Sequence, residues 1–127
     1  MPVILLLGIP AGLEDSEGLK GLILEKLPQA VAGIVELGLE TKQVVTFAPR
    51  DLLQEGLGNE IIAFIDGLYT LPERTQEVKM HLAQAVCQAL IEFKDWCLPE
   101  CTMIEVFTRS LDTSSEGFAS WEKKEDG

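Results

Sequence analysis

Met1-Pro2-Val3-Ile4-Leu5-Leu6-Leu7-Gly8-Ile9 is an apolar run broken by Gly8 and closed by Pro10, the pattern of a buried strand. Pro2 stands where loss of Met1 would make it N-terminal. Its nitrogen would then be a titratable secondary amine, not an amide, with its geometry fixed by the ring. Held at the edge of an apolar pocket, such an amine is a general base able to work near neutral pH. The plainer alternative is that Pro2 only caps the strand.

Outward from this run, Pro10-Ala11-Gly12 forms a turn and Asp15 or Ser16 is placed to cap a helix. From Glu17 to about Val35, the residues Leu19, Leu22, Ile23, Leu27, Ala30, Val31 and Ile34 recur at three- and four-residue steps, one stripe of an amphipathic helix. Pro28 lies inside it and predicts a kink or an early end; Gly38 closes the segment. Gln43 to Ala48 is β-rich and reads as a second strand, leading to a single helical turn over Pro49–Leu53 and a Gly-rich link, Gln54–Asn59.

The pattern then recurs. Glu60–Leu68 reads as a third strand, Thr75 as a cap, and Gln76 to about Lys94 as a second helix with Val78, Leu82, Ala85, Val86, Ala89, Leu90 and Phe93 on one stripe. Thr102–Thr108 reads as a fourth strand, Gly117–Trp121 as a short terminal one, and Glu122–Gly127 as a frayed charged tail. At an ungapped offset of 59, Gly8 falls on Gly67, Ser16 on Thr75, Lys20 on Lys79, Gln29 on Gln88, Thr46 on Glu105 and Arg50 on Arg109. The expected fold class is α+β: two βαβ repeats giving a four-stranded mixed sheet with two antiparallel helices on one face. The repeat units span 2–55 and 60–121 of a single domain covering 1–127.

The bulk composition narrows the function. A chain of 127 residues with a net charge of −11 lacks the basic face that nucleic acid or an anionic membrane requires. No apolar run reaches the ~20 residues that span a bilayer, and the N-terminus lacks a signal peptide's flanks. Cys87, Cys97 and Cys101 are an odd number, unlike a secreted disulfide framework, so the expected location is cytoplasmic. Cys97 and Cys101 are too few for a zinc site, and Cys87 and His81 fall on different helix faces; neither a metal nor a cofactor is expected. Any anionic substrate must be captured by a local cation, which makes Arg50, Arg74 and Arg109, the only arginines, informative.

An initiating Met-Pro followed directly by an apolar strand, with two βαβ units in this length, resembles the tautomerase superfamily. That superfamily includes macrophage migration inhibitory factor, 5-carboxymethyl-2-hydroxymuconate isomerase and malonate semialdehyde decarboxylase. The second unit also resembles a whole short subunit of the 4-oxalocrotonate tautomerase type, through Glu73-Arg74-Thr75-Gln76-Glu77-Val78-Lys79, a helix, and Met103-Ile104-Glu105-Val106-Phe107-Thr108. The resemblance implies a homotrimer with pockets at subunit interfaces, the N-terminal proline as general base, and arginines that bind a small anionic 2-oxo acid. Arg74 matches a position that supplies such an arginine from a neighbouring subunit. The other short-subunit arginine falls on Glu105, whose first-unit counterpart at this offset is Thr46, and neither is basic.

The expected catalytic residue is therefore Pro2, with Arg74, Arg109 and Phe118 as substrate-binding candidates and keto–enol proton transfer as the reaction. The second unit places Ile61 where the first has Pro2, so one proline site per chain is expected. Arg50 and Arg109 read better as exposed charges or intersubunit salt bridges than as substrate ligands, Phe118 and Trp121 read equally well as packing residues or as a pocket wall, and Tyr69 is a further candidate proton donor. Two other classes fit the same order of elements: a non-catalytic trimeric binding or structural protein of this fold, and a ferredoxin-like dimeric ligand-binding module.

Overall fold

The computed structural model describes residues 2–13, 15–51 and 59–124, with Arg50, Asp51 and Asn59 described by their backbone alone. Met1, Leu52–Leu53 of the expected helical turn, the link over 54–58 and the last residues of the tail lie outside the described residues. Within them the chain runs β1 (Val3–Leu7), β2 (Ile9–Pro10), a first helical segment, β3 (Val45–Phe47), β4 (Arg50–Asp51), β5 (Asn59–Tyr69), a long helix and β6 (Cys101–Leu111). Arg50 and Asp51, expected in a helical turn, form β4 instead, because they pair in parallel with Ile9 and Pro10.

The first helical segment is not uniform. It begins as α1 (Glu17–Gly21), loosens to a π-helical turn over Leu22–Lys26, and resumes as α2 (Leu27–Ala32). Pro28 lies just after this π-helical turn, inside a continuous helix; it donates no N–H to the turn before it, and the wider π turn makes room for the ring that would clash with the i−4 carbonyl of a regular α-helix. The helix therefore passes through Pro28 and stops at Gly33. Ser16 Oγ accepts the Leu19 N–H at 3.4 Å, and in the second unit Thr75 Oγ1 accepts the Val78 N–H at 3.2 Å, opening α3 (Gln76–Cys97). Both caps fall at the expected positions, and α3 extends one turn further than its periodicity suggested.

The main sheet has the order β3-β1-β5-β6: β1 is parallel to β3, β5 is parallel to β6, and the two pairs join antiparallel through β1 and β5. Parallel partners are therefore adjacent, as in two intact βαβ units. A ferredoxin-like arrangement splits each unit with an intervening strand, so this order rules it out. Leu5 pairs with Phe64, its own counterpart at the 59-residue offset, which places a pseudo-twofold axis between them. Ile4, Leu6, Ile61, Ala63 and Ile65 point inward from the two central strands. They meet Leu22, Leu27 and Val31 of the first helical segment and Val78, Leu82, Val86, Leu90 and Phe93 of α3 in one core.

The ungapped repeat requires correction in its second strands. Val3 pairs with Val45 while its counterpart Ile62 pairs with Glu105, and Leu5 pairs with Phe47 while Phe64 pairs with Phe107. The offset there is 60, because the second unit carries one more residue between helix and strand. A one-residue slip reverses the face of every side chain. Thr46 consequently corresponds to Val106, not Glu105, and Arg50 to Ser110, not Arg109. Gly117–Trp121, expected as a strand, takes no regular structure. No helix among the described residues is long and apolar enough to cross a membrane.

Candidate active site

Gly8 and Gly67 shape the C-terminal ends of β1 and β5, and Gly67 lies beside Pro2. Both have positive φ, +98° and +79°. Between the pairs Ile65–Thr108 and Leu68–Ser110, β5 carries Asp66 and Gly67 while β6 carries Arg109 alone. This is a β-bulge, for which glycine supplies the left-handed residue. The first unit repeats it at Leu7-Gly8 opposite Pro49, after which the pairing resumes as the short β2–β4 ladder.

β1 runs antiparallel to β5, so Pro2 lies beside the C-terminal end of β5, where Tyr69, Arg74 and the end of β6 also gather. Pro2 is buried, and its carbonyl accepts the Val45 N–H at 3.2 Å. That bond fixes the head of β1 against β3. Tyr69 closes the same end, its ring meeting Phe118 edge-on at 5.8 Å between centroids. Phe118 and Trp121 are otherwise exposed.

Arg74 is tied down locally. Nη1 donates to the Tyr69 carbonyl and Nη2 to the Leu37 carbonyl, each at 3.1 Å, so the guanidinium bridges the end of β5 to the turn after α2. Its Nε–H is buried without a partner, and no carboxylate among the described residues pairs with it. Among the described residues the charge of Arg74 has no carboxylate partner, while two of its five donors are committed to backbone.

Arg109 is placed differently. On the outer sheet face, Phe107 and Arg109 of β6 stand beside Phe64 and Asp66 of β5, following the two-residue period of a strand. Both oxygens of Asp66 are taken in a fork by Arg109, through Nε and through Nη2, the latter at 2.6 Å. The guanidinium carbon lies 4.3 Å from the centre of the Phe64 ring, which stacks on Phe107 at 5.4 Å. The hydrogen bond to Asp66 raises the Arg109 pKa above its ordinary value. Arg50 belongs to β4, at the opposite end of β1 from Pro2.

Asp66 carried no signal in the sequence; it becomes significant only through the register that sets it opposite Val3, next to Pro2. Cys87, Cys97 and Cys101 are free thiols, and no cluster of metal-ligating side chains occurs among the described residues. Two clefts lie elsewhere. One of about 180 Å³ between the first helical segment and α3 is lined by Leu22, Phe93 and Trp96. The other, about 320 Å³, runs between α3 and β6. Neither is lined by Pro2, Arg74, Arg109 or Phe118.

No family model matches this chain, and no curated protein does. Solved structures match along nearly its whole length. Native fused 4-OT aligns at 18% identity over 92% of this chain and 91% of that one, with a TM-score of 0.63. A 5-carboxymethyl-2-hydroxymuconate delta-isomerase aligns at 13% identity over 96% and 89%, with a TM-score of 0.61. A member of the cis-3-chloroacrylic acid dehalogenase family aligns at 13% identity over 99% and 85%, with a TM-score of 0.63. The chain has the tautomerase-superfamily fold.

Proposed function

We propose that this chain is a tautomerase-fold enzyme that moves a proton between carbon and oxygen of a small 2-oxo acid. Pro2 is the general base once Met1 is removed, and Arg74 is the carboxylate-binding cation. The observation that carries the proposal is the placement of Pro2: buried at the head of a central strand, at the same end as Arg74. An α-amino group titrates near ~8 in water, and burial or a nearby cation disfavours its charged form. A neutral proline nitrogen can accept the proton from the carbon next to the carbonyl, while the arginine holds the carboxylate and steadies the enolate. The proton then returns to oxygen, so the reaction needs no co-reactant. Phe118, standing on Tyr69, forms an apolar wall at that end.

A homotrimer accompanies this reading. Phe47 and Phe107 leave more than two-fifths of their surface exposed on the sheet face away from the helices, an apolar area suited to a second copy of the chain. The fused 4-OT structures matched include a symmetric trimer. Three free cysteines suit a reducing compartment such as the cytoplasm.

One observation favours a second reading, a non-catalytic protein of the same fold: Arg74 already bridges two backbone carbonyls and so has a structural role without substrate. The N-terminal mass and a Pro2→Ala variant separate the two. The enzyme reading expects a mature chain beginning at Pro2 and a fall of about 10²-fold or more in phenylpyruvate enol ketonisation in the variant. Retained Met1 or an undiminished rate selects the second reading.

A further inference from the structure

Asp66 does something that the proposed reaction does not call for. Of the three arginines, Arg109 lies across from the bulge beside Pro2, and Asp66 engages it through both carboxylate oxygens while Phe64 covers its face. Lys42, on the turn leading into β3, is exposed and paired with Glu40 at 3.3 Å. Glu105, on the same face as Arg109, adds negative charge. Arg74 differs: among the described residues its guanidinium meets two neutral carbonyls and keeps a buried Nε–H without a partner. Among the described residues, the Pro2 end thus offers an incoming anion one cation free of a carboxylate, Arg74, and a second already engaged by one, Arg109.

We infer that Asp66 is a specificity-determining residue: by holding Arg109, it biases the site toward substrates with a single carboxylate over dicarboxylates. This rests on the reading that the Pro2 end binds a 2-oxo acid and deepens it by naming the monocarboxylates. Asp66 acts through Arg109. A second substrate carboxylate must displace a carboxylate of the protein that is already aligned in a fork, and it meets the charges of Asp66 and Glu105 as it approaches. The pair is partly exposed, with 55% of the Arg109 side chain and 34% of the Asp66 side chain accessible. The discrimination is therefore of the order exposed ion pairs supply, about fivefold.

The test compares two acids that differ by one carboxylate, 2-oxopentanoate and 2-oxoglutarate, by calorimetric titration of the full chain at low salt. Wild type should bind 2-oxopentanoate about fivefold or more tightly than 2-oxoglutarate. Asp66→Asn should shift that ratio by about fivefold toward 2-oxoglutarate, and Asp66→Glu, which keeps the carboxylate, should stay near the wild-type ratio. A merely structural role for Asp66 would weaken both acids alike. The inference is overturned by a wild-type preference for 2-oxoglutarate, by an unchanged ratio in Asp66→Asn, by Asp66→Glu behaving like Asp66→Asn, or by neither acid binding. Because binding does not require the proline base, a Pro2→Ala variant with an undiminished rate would remove the catalytic reading and leave this ratio to decide the role of Asp66.

Discussion

Arg74 donates from Nη2 to the carbonyl of Leu37, thirty-seven residues earlier in the chain, at 3.1 Å. With the bond from Nη1 to Tyr69, it ties the second βαβ unit to the turn that closes the first helix. Arg74→Ala leaves two carbonyls without their donor and should cost about 2–3 kcal/mol of unfolding free energy. Arg74→Lys, which lacks the planar fork, should recover about half. Chemical denaturation checks this. A purely substrate-binding arginine would instead raise KM and leave the denaturation midpoint in place.

Gly8 and Gly12 form a matched pair of tests. Both have positive φ, but a Cβ on Gly8 would lie 2.0 Å from the Glu60 carbonyl oxygen, whereas one on Gly12 would meet nothing within 4 Å. Gly12→Ala should cost only the left-handed strain, about 1–2 kcal/mol. Gly8→Ala adds a clash with the backbone of a central strand and should exceed about 3 kcal/mol. Equal losses in thermal unfolding would mean that the bulge moves freely.

Thr46 should be improvable. It shares the core-facing side of β3 with Val44 and Ala48, its hydroxyl is buried without a partner, and its counterpart in the second unit is Val106. Thr46→Val removes the unsatisfied group at nearly constant shape and should stabilise the chain by about 1 kcal/mol. A loss of stability would show that the hydroxyl has a partner in the assembled protein.

Asp112, in the turn after β6, accepts hydrogen bonds from the Ser114 hydroxyl at 2.6 Å and the Ser114 N–H at 3.0 Å. These bonds, the hydroxyl first, lower its pKa below the ordinary value. A carboxylate depressed in the folded state contributes stability above its unfolded pKa, near ~3.9, and loses that contribution as pH falls through the folded value. Carbon NMR titration should show the Asp112 midpoint rising in Ser114→Ala. An unmoved midpoint would refute the assignment.

Local features were legible in the sequence because they depend on neighbours along the chain. The apolar steps from Leu19 to Val31 and from Val78 to Phe93 placed the helices. Ser16 and Thr75 placed their first turns, and the return of Gly8 at Gly67 gave the repeat. Strand ends were less legible: nothing local marks Arg50 and Asp51 as a strand, since their partner is the distant Ile9-Pro10. Pro2 could be named from its place beside Met1, but its burial and its position at the Arg74 end could not.

Register was decided only in three dimensions. One added residue between helix and strand in the second unit moved the offset from 59 to 60. It set Thr46 with Val106, left Glu105 on the outer face, and separated Arg50 from Arg109. The bulge at Gly67 then put Arg109 opposite Asp66. Sequence determined that the chain would form two βαβ units headed by a proline. Tertiary structure decided which arginine is held by a carboxylate and which is not, because side chains meet across strands according to register, and a shift of one residue reverses the face each of them presents.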